Sequence, residues 1–203
     1  MKNCDRVETK KRKRAPAQSG EAVTKIQVRP PKWCVGRQNN DSGPHLNVSE
    51  FYKLQRTFLE HFRNADASRN WQAIHSRHFD WWQFPIDDGS RVEFNMNSES
   101  DIETLRSDED WISGYLESVK LVAKAWGWDV DACALISDGG FWDKKDVRLA
   151  KIIRSLWLFE QSEYFESMQK FATHINDNVY NKRGLFYGRI CLDEVLYMKL
   201  PRR

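Results

Sequence analysis

No C-x-x-C pair occurs in this sequence. Its four cysteines, Cys4, Cys34, Cys133 and Cys191, stand far apart, so neither a zinc ribbon nor a dithiol redox pair is signalled. Reduced thiols in a cytosolic or nuclear protein are the expectation. No apolar run follows the first basic residues, so no secretory signal is expected. No stretch approaches the ~18 consecutive apolar residues of a membrane span. The phosphate-cradling patterns G-x-x-x-x-G-K and G-x-G-x-x-G are missing, as are H-E-x-x-H, the G-x-S-x-G elbow and the catalytic-cysteine signatures. No segment repeats. The residues therefore point to no cofactor and no metal, and they give an architecture more directly than an activity.

Aromatic residues are what the chain does have. Its 203 residues include 9 Trp, 11 Phe and 6 Tyr, each able to bury ~150–250 Å². That is enough for a real core in one domain plus a tail. Hydrophobic residues make 40% and charged residues 30%, a soluble globular balance with a polar bias. The charge is uneven. Residues 1–40 hold eleven Lys and Arg against Asp5, Glu8 and Glu21, or +8, and the whole chain is +3, which leaves −5 for the rest.

Residues 1–48 read as a disordered basic arm, since they are polar, Pro- and Gln-containing and without periodicity. Within it Lys10, Lys11, Arg12, Lys13 and Arg14 form a run of five bases. Such a run in an exposed arm suits the acidic groove of an import receptor, or nucleic-acid phosphates. A solvated tail is the plain alternative.

Residues 49–203 read as a helical domain. Ser49 can cap a first helix carrying Phe51, Leu54, Phe58 and Phe62, with Tyr52 and Leu59 beside them. A short helix is expected over 69–77. Pro85 blocks helix and pushes Phe84 extended. Residues 87–90 read as a turn and 91–96 as an extended piece. Ser107 is expected to cap a helix running to Trp126, with Ile112, Tyr115, Leu116, Val119, Val122, Ala123 and Trp126 as its stripe and Gly127 as terminator. A loop is expected over 129–141. An amphipathic helix over 144–161 follows, with Leu149, Ile152, Ile153, Leu156 and Phe159 inward. Ser162 can cap the next helix, and 192–200 reads as a terminal one. The fold class is mainly α: an irregular bundle with an aromatic, proline-containing extended segment.

Three groups of residues invite a functional reading. The stretch HFDWWQFPID, residues 78–87, concentrates Trp81, Trp82, Phe84, Pro85 and Ile86. Exposed together they would make a large apolar patch, so they are expected to plug the core, with Asp80 capping or accepting from an indole N–H. His75 and His78 with Asp80 could hold a metal or serve a hydrolase, but the partner ligands of such a site are missing. His78 beside aromatics and His174 at a helix flank read as structural. Last, Lys144, Arg148, Lys151 and Arg154 share one side of the 144–161 helix, with Leu158 among them. That row could face nucleic acid or an acidic partner, or simply water.

The order of these pieces resembles the conserved domain of the opioid growth factor receptor family. The resemblance spans roughly residues 51–200. It is carried by Asn70-Trp71 and WQFPI at 82–86, by the striped helix from Ser107 to Trp126, by LAKIIRSL at 149–156, and by the aromatic EYFESMQKF that follows. The family's histidine falls on Arg77 here, with His78 one place on. The resemblance implies an α-helical domain associated with the nucleus, peptide or protein binding, and growth regulation in the animal members. It supplies no catalytic residue. The function expected is thus a non-enzymatic nuclear interaction domain with a protein or peptide partner, an import receptor on the arm, and no membrane.

Overall fold

The computed structural model describes residues 46–76, 78–87, 89, 91–181, 186, 187, 190, 191, 199 and 200. The basic arm, with Lys10 to Arg14, and most of the expected terminal helix over 192–200 lie outside these residues.

Among the described residues six α-helices carry the fold: α1 (Val48–Ala67), α2 (Trp71–Ile74), α3 (Glu99–Arg106), α4 (Glu109–Ala125), α5 (Asp146–Leu158) and α6 (Ser162–His174). A π-helical turn, Ile175–Val179, extends α6. Two antiparallel ribbons of two-residue strands complete it: β1 (Trp128–Asp129) with β2 (Ala134–Leu135), and β3 (Phe186–Tyr187) with β4 (Ile190–Cys191). The class is mainly α, as composition and periodicity require.

Helix starts differ from the sequence reading by one or two residues, for local reasons. Asn47, not Ser49, caps α1: its side chain accepts from the Glu50 N–H while Glu50 accepts from the Asn47 N–H, a closed capping box. Ser107 ends α3, a helix whose two buried positions, Ile102 and Leu105, give little periodic signal. Asp108 then caps α4 by accepting from Trp111 N–H. Ser162 is the first residue of α6, and Gln161 holds the cap position without a side-chain bond. Residues 92–94 form a 3-10 turn rather than an extended piece.

α1 and α4 run parallel. Successive rungs join them: Tyr52 to Asp108, Gln55 to Trp111, Arg63 to Glu117, and Lys124 to Asp66 at 2.8 Å. Gly114 lies on the seam, where an added Cβ would stand 3.3 Å from Leu59 Cδ2. At the far end of α4, Gly127 turns the chain at φ +79. The turn over 137–140 folds back on that end, and a Cβ on Gly140 would fall 2.0 Å from the Ala125 carbonyl oxygen. Only glycine permits that approach.

The core is a connected set of rings. Phe62 meets Phe79, Phe79 meets Phe84, Phe84 meets Tyr115, and Tyr115 and Trp111 meet Phe159. A second set joins Trp126, Trp128, Trp142 and Phe171. α5 lies in the middle: every residue from Leu149 to Leu156 is buried. A helix enclosed on all sides is ordinarily apolar all round, and α5 is not.

Candidate functional site: an α1–α4 groove and a buried ion network

The row of bases on α5 is not a solvent face. Arg154 is fully buried and Lys151 nearly so, and Leu158 is buried too. Arg148 is largely covered, and only Lys144 is exposed. The cause is the aromatic segment, which crosses α5 and brings carboxylates to it. Asp80 meets Lys151 Nζ at 2.7 Å and Arg148 Nε at 3.4 Å. Asp87 takes the fork of Arg154, with Nε at 2.9 Å and Nη2 on the second oxygen. Arg148 and Arg154 also cover rings, their guanidinium carbons 4.7 Å from Phe79 and 4.2 Å from Trp157. Asp80 therefore accepts from cations, not from an indole. Burial holds Arg148 below its ordinary pKa, with Asp80 pulling the other way.

The aromatic segment acts as the plug its composition calls for, in part. Phe79, Phe84 and Ile86 are buried. Trp81 and Trp82 are only half-buried. Trp81 stacks on His78 at 4.4 Å and meets the Arg91 guanidinium. Trp82 packs on Phe58 and Phe94, and its buried Nε1 has no hydrogen-bond partner. Pro85 follows the Phe79–Trp81 turn and keeps it short.

The histidines diverge. Trp126 Nε1 donates to His75 Nε2 at 3.1 Å, and Arg148 Nη1 stands 3.0 Å from Nδ1. Both ring nitrogens face donors, so a second ring proton has no acceptor. Burial first, then Arg148 and Lys145, push the His75 pKa down to about 4, with Asp143 opposing. His78 is spent on Trp81, and Asp80 on α5. Among the described residues no three His, Cys, Asp or Glu side chains are grouped as metal ligands. His61 bonds Ala73 O and Ser76, and His174 bonds Asn178.

A groove of about 440 Å³ opens along the α1–α4 seam, a size that suits a ligand or a peptide side chain. Tyr52, Arg56, Leu59, Glu60 and Arg63 line one bank, and Asp110, Ser113, Gly114 and Glu117 the other. Gln55, Gln83 and Trp111 form its floor. Their polar atoms run in series. Trp111 Nε1 donates to Gln55 Oε1. Gln55 Nε2 donates to the Gln83 carbonyl at 3.2 Å. Gln83 Nε2 donates to Ser118 Oγ at 2.6 Å, and Ser118 donates to the Gly114 carbonyl at 2.9 Å. One acceptor is left over: Gln83 Oε1 has no partner, though Gln83 is only 1% exposed. A buried, unpaired amide oxygen costs roughly 1–3 kcal/mol.

The ends of the groove are electrostatically set. Arg63 is held by Glu60 and by both oxygens of Glu117, at 2.7 and 2.6 Å, which lowers the Glu117 pKa. Burial and Asp108 raise Tyr52 to about 12, and the Tyr52 hydroxyl, with backbone N–H groups, lowers Asp108.

Sequence reasoning missed this groove. One signal was available: Gln55 falls at i+4 from Phe51 and i−7 from Phe62, inside the apolar stripe, and it is buried where Leu54 is only half-buried. A glutamine at a core position needs partners. Gln83, inside the aromatic segment, carried no such periodic mark.

Among the described residues no helix is long and apolar enough to cross a membrane. Comparison of the chain with family models, with curated proteins and with solved structures finds no match.

Proposed function

We propose that this chain is a non-enzymatic helical interaction module. Its recognition surface is the α1–α4 groove, its partner is a peptide or protein segment, and its basic arm takes it to the nucleus through an import receptor. The observation that carries the reading is the groove itself, about 440 Å³ between α1 and α4, with the Trp111 ring below and charged and polar side chains on both banks. The resemblance of WQFPI and LAKIIRSL to the opioid growth factor receptor family supports a nuclear, peptide-binding role. A nucleic-acid reading keeps only the arm and Lys144, because Lys151 and Arg154 are buried and Arg148 largely covered.

Selection of a displayed peptide library against the full chain tests the proposal. Selected peptides should lose binding to Ser113→Trp, which fills the groove from an exposed position, while the thermal midpoint of the variant stays unchanged. Peptides that bind both proteins equally would place recognition elsewhere.

A further inference from the structure

We propose that Cys133 and Lys170 form an oxidation site, in which a peroxide joins the thiol sulfur to the lysine amine as a reversible sulfenamide bridge. Neither residue lines the α1–α4 groove, and the bridge does not depend on what that groove binds. Two elements set the pair. The β1–β2 ribbon closes through Asp129, whose carboxylate accepts from the Asp131 and Ala132 N–H groups at 2.9 Å each, and whose backbone pairs with Ala134. Cys133 lies inside that turn, half-buried and at φ +52, with its sulfur 3.7 Å from the Val130 carbonyl oxygen. Lys170 comes from α6 and places Nζ 3.8 Å from Sγ. Glu166 stands four residues before Lys170 on the same helix, the spacing at which helical ion pairs form. Among the described residues Lys170 nevertheless makes no ion pair, and its amine stands on the sulfur. The other nearby base, Lys120, is held by Asp131 at 2.8 Å and lies over the Tyr164 ring, so it leaves the thiol to Lys170. A cavity of about 360 Å³ opens onto the pair, with Glu163, Tyr164 and Glu166 around it. That space admits a peroxide to the sulfur, whereas an enclosed structural cysteine is inert.

The chemistry consumes one peroxide. The thiolate is the attacking form of cysteine, and the Lys170 ammonium supplies the opposite charge beside it. The sulfur attacks one peroxide oxygen, the O–O bond breaks, and hydroxide leaves. That hydroxide takes a proton from the Lys170 ammonium and becomes water, so one step yields both a sulfenic acid and a neutral amine. The amine lone pair then attacks the sulfur, and the S–O bond breaks. The departing hydroxide removes a proton from the nitrogen as a second water. Sulfur is oxidised by two electrons, the peroxide is reduced by two, and the nitrogen keeps its oxidation state. Sulfenic acids condense with nitrogen in this way and return to thiols on reduction. The bridge spans 37 positions of the chain and ties the β1–β2 ribbon to α6. A cross-link over a loop of that length restricts the unfolded chain and stabilises the fold, as a disulfide does.

The test treats the reduced full-length chain with hydrogen peroxide, then maps its proteolytic peptides by mass spectrometry. The Cys133 and Lys170 peptides should appear joined, at their summed mass less two hydrogen atoms, and dithiothreitol should separate them. The thermal midpoint should rise by several degrees with peroxide and fall back with dithiothreitol. Lys170→Arg keeps the charge at an exposed position but offers no primary amine. In that variant the Cys133 sulfenic acid should persist and take up dimedone several-fold more than in the native chain, and peroxide should leave the midpoint where it was. A Cys133 that stays a thiol at a peroxide dose that oxidises free cysteine overturns the proposal. So does equal dimedone uptake at Cys133 by the native chain and Lys170→Arg without a joined peptide.

Discussion

Asp80 is the residue whose surroundings depart most from its sequence context. In sequence it precedes two tryptophans; in space it is a buried carboxylate between Lys151 and Arg148. Breaking one partner of a buried pair leaves an uncompensated charge, so Asp80→Asn should cost about 3–5 kcal/mol in urea unfolding. Replacing both partners, as Asp80→Leu with Lys151→Met, should cost much less than the two single changes summed. Additive losses would show that Lys151 does not depend on Asp80. Burial also separates two neighbours in the plug. Phe84→Ala empties a fully buried site and should cost about 3–5 kcal/mol. Trp82→Ala should cost less than Phe84→Ala, because Trp82 is half-buried and its indole N–H is already unpaired. A larger loss at Trp82 would invert their places in the core.

His75 gives the protein an acid limb. Unfolded, its imidazole takes a proton near pH 6.5; folded, only near 4. Between those values the unfolded chain binds more protons, so stability is full above about 6.5 and falls as pH drops towards 4. The loss is on the order of 1–3 kcal/mol, with the lower figure allowing for solvent reaching the ring. The depressed carboxylates Asp108, Glu117 and Asp143 lose their contribution at lower pH, below the ordinary carboxylate range. Chemical unfolding at pH 7.0, 6.0 and 5.0 isolates the histidine limb. His75→Gln should flatten it, and a slope that persists in this variant would assign it to other groups.

At the scale of elements, the helices were legible where a stripe of large residues recurs over three or more turns. α1, α4 and α6 all show it, and Gly127 ends α4 as glycine spacing requires. The caps were less legible, since Asn47 and Ser49 are equally good candidates by type. The structure chooses Asn47 because Glu50 lies three residues on and closes the box. Asn47→Ala should therefore cost about 1 kcal/mol and Ser49→Ala less than half of that. The reverse order, read from urea midpoints, would move the start of α1. α5 misled for a different reason. Its bases share a side, which is how a solvated face reads, and nothing in the helix itself says that Asp80 and Asp87 will cover it.

The whole molecule joins a basic arm to a body of opposite charge. With Lys10 to Arg14 changed to alanine and a bulky reporter fused, nuclear enrichment in a eukaryotic cell should disappear while the thermal midpoint stays within error. The run is five consecutive bases in a polar stretch of the sequence. An undiminished nuclear signal would remove the arm from import.

By itself the sequence determined a mainly helical, aromatic-rich body behind a basic arm. Period, capping type and charge count are local properties, and residues a few positions apart express them. Tertiary structure alone decided which polar side chains are inside. Lys151 and Arg154 are buried because a segment some 70 residues earlier in the chain lays Asp80 and Asp87 across α5. The groove likewise exists because α1 and α4 pack in parallel across 50 to 60 residues of intervening chain. Gln83 then arrives beneath them with one amide oxygen unpaired. Burial of a charge depends on its partner's position in space, and no periodicity within one helix encodes that position.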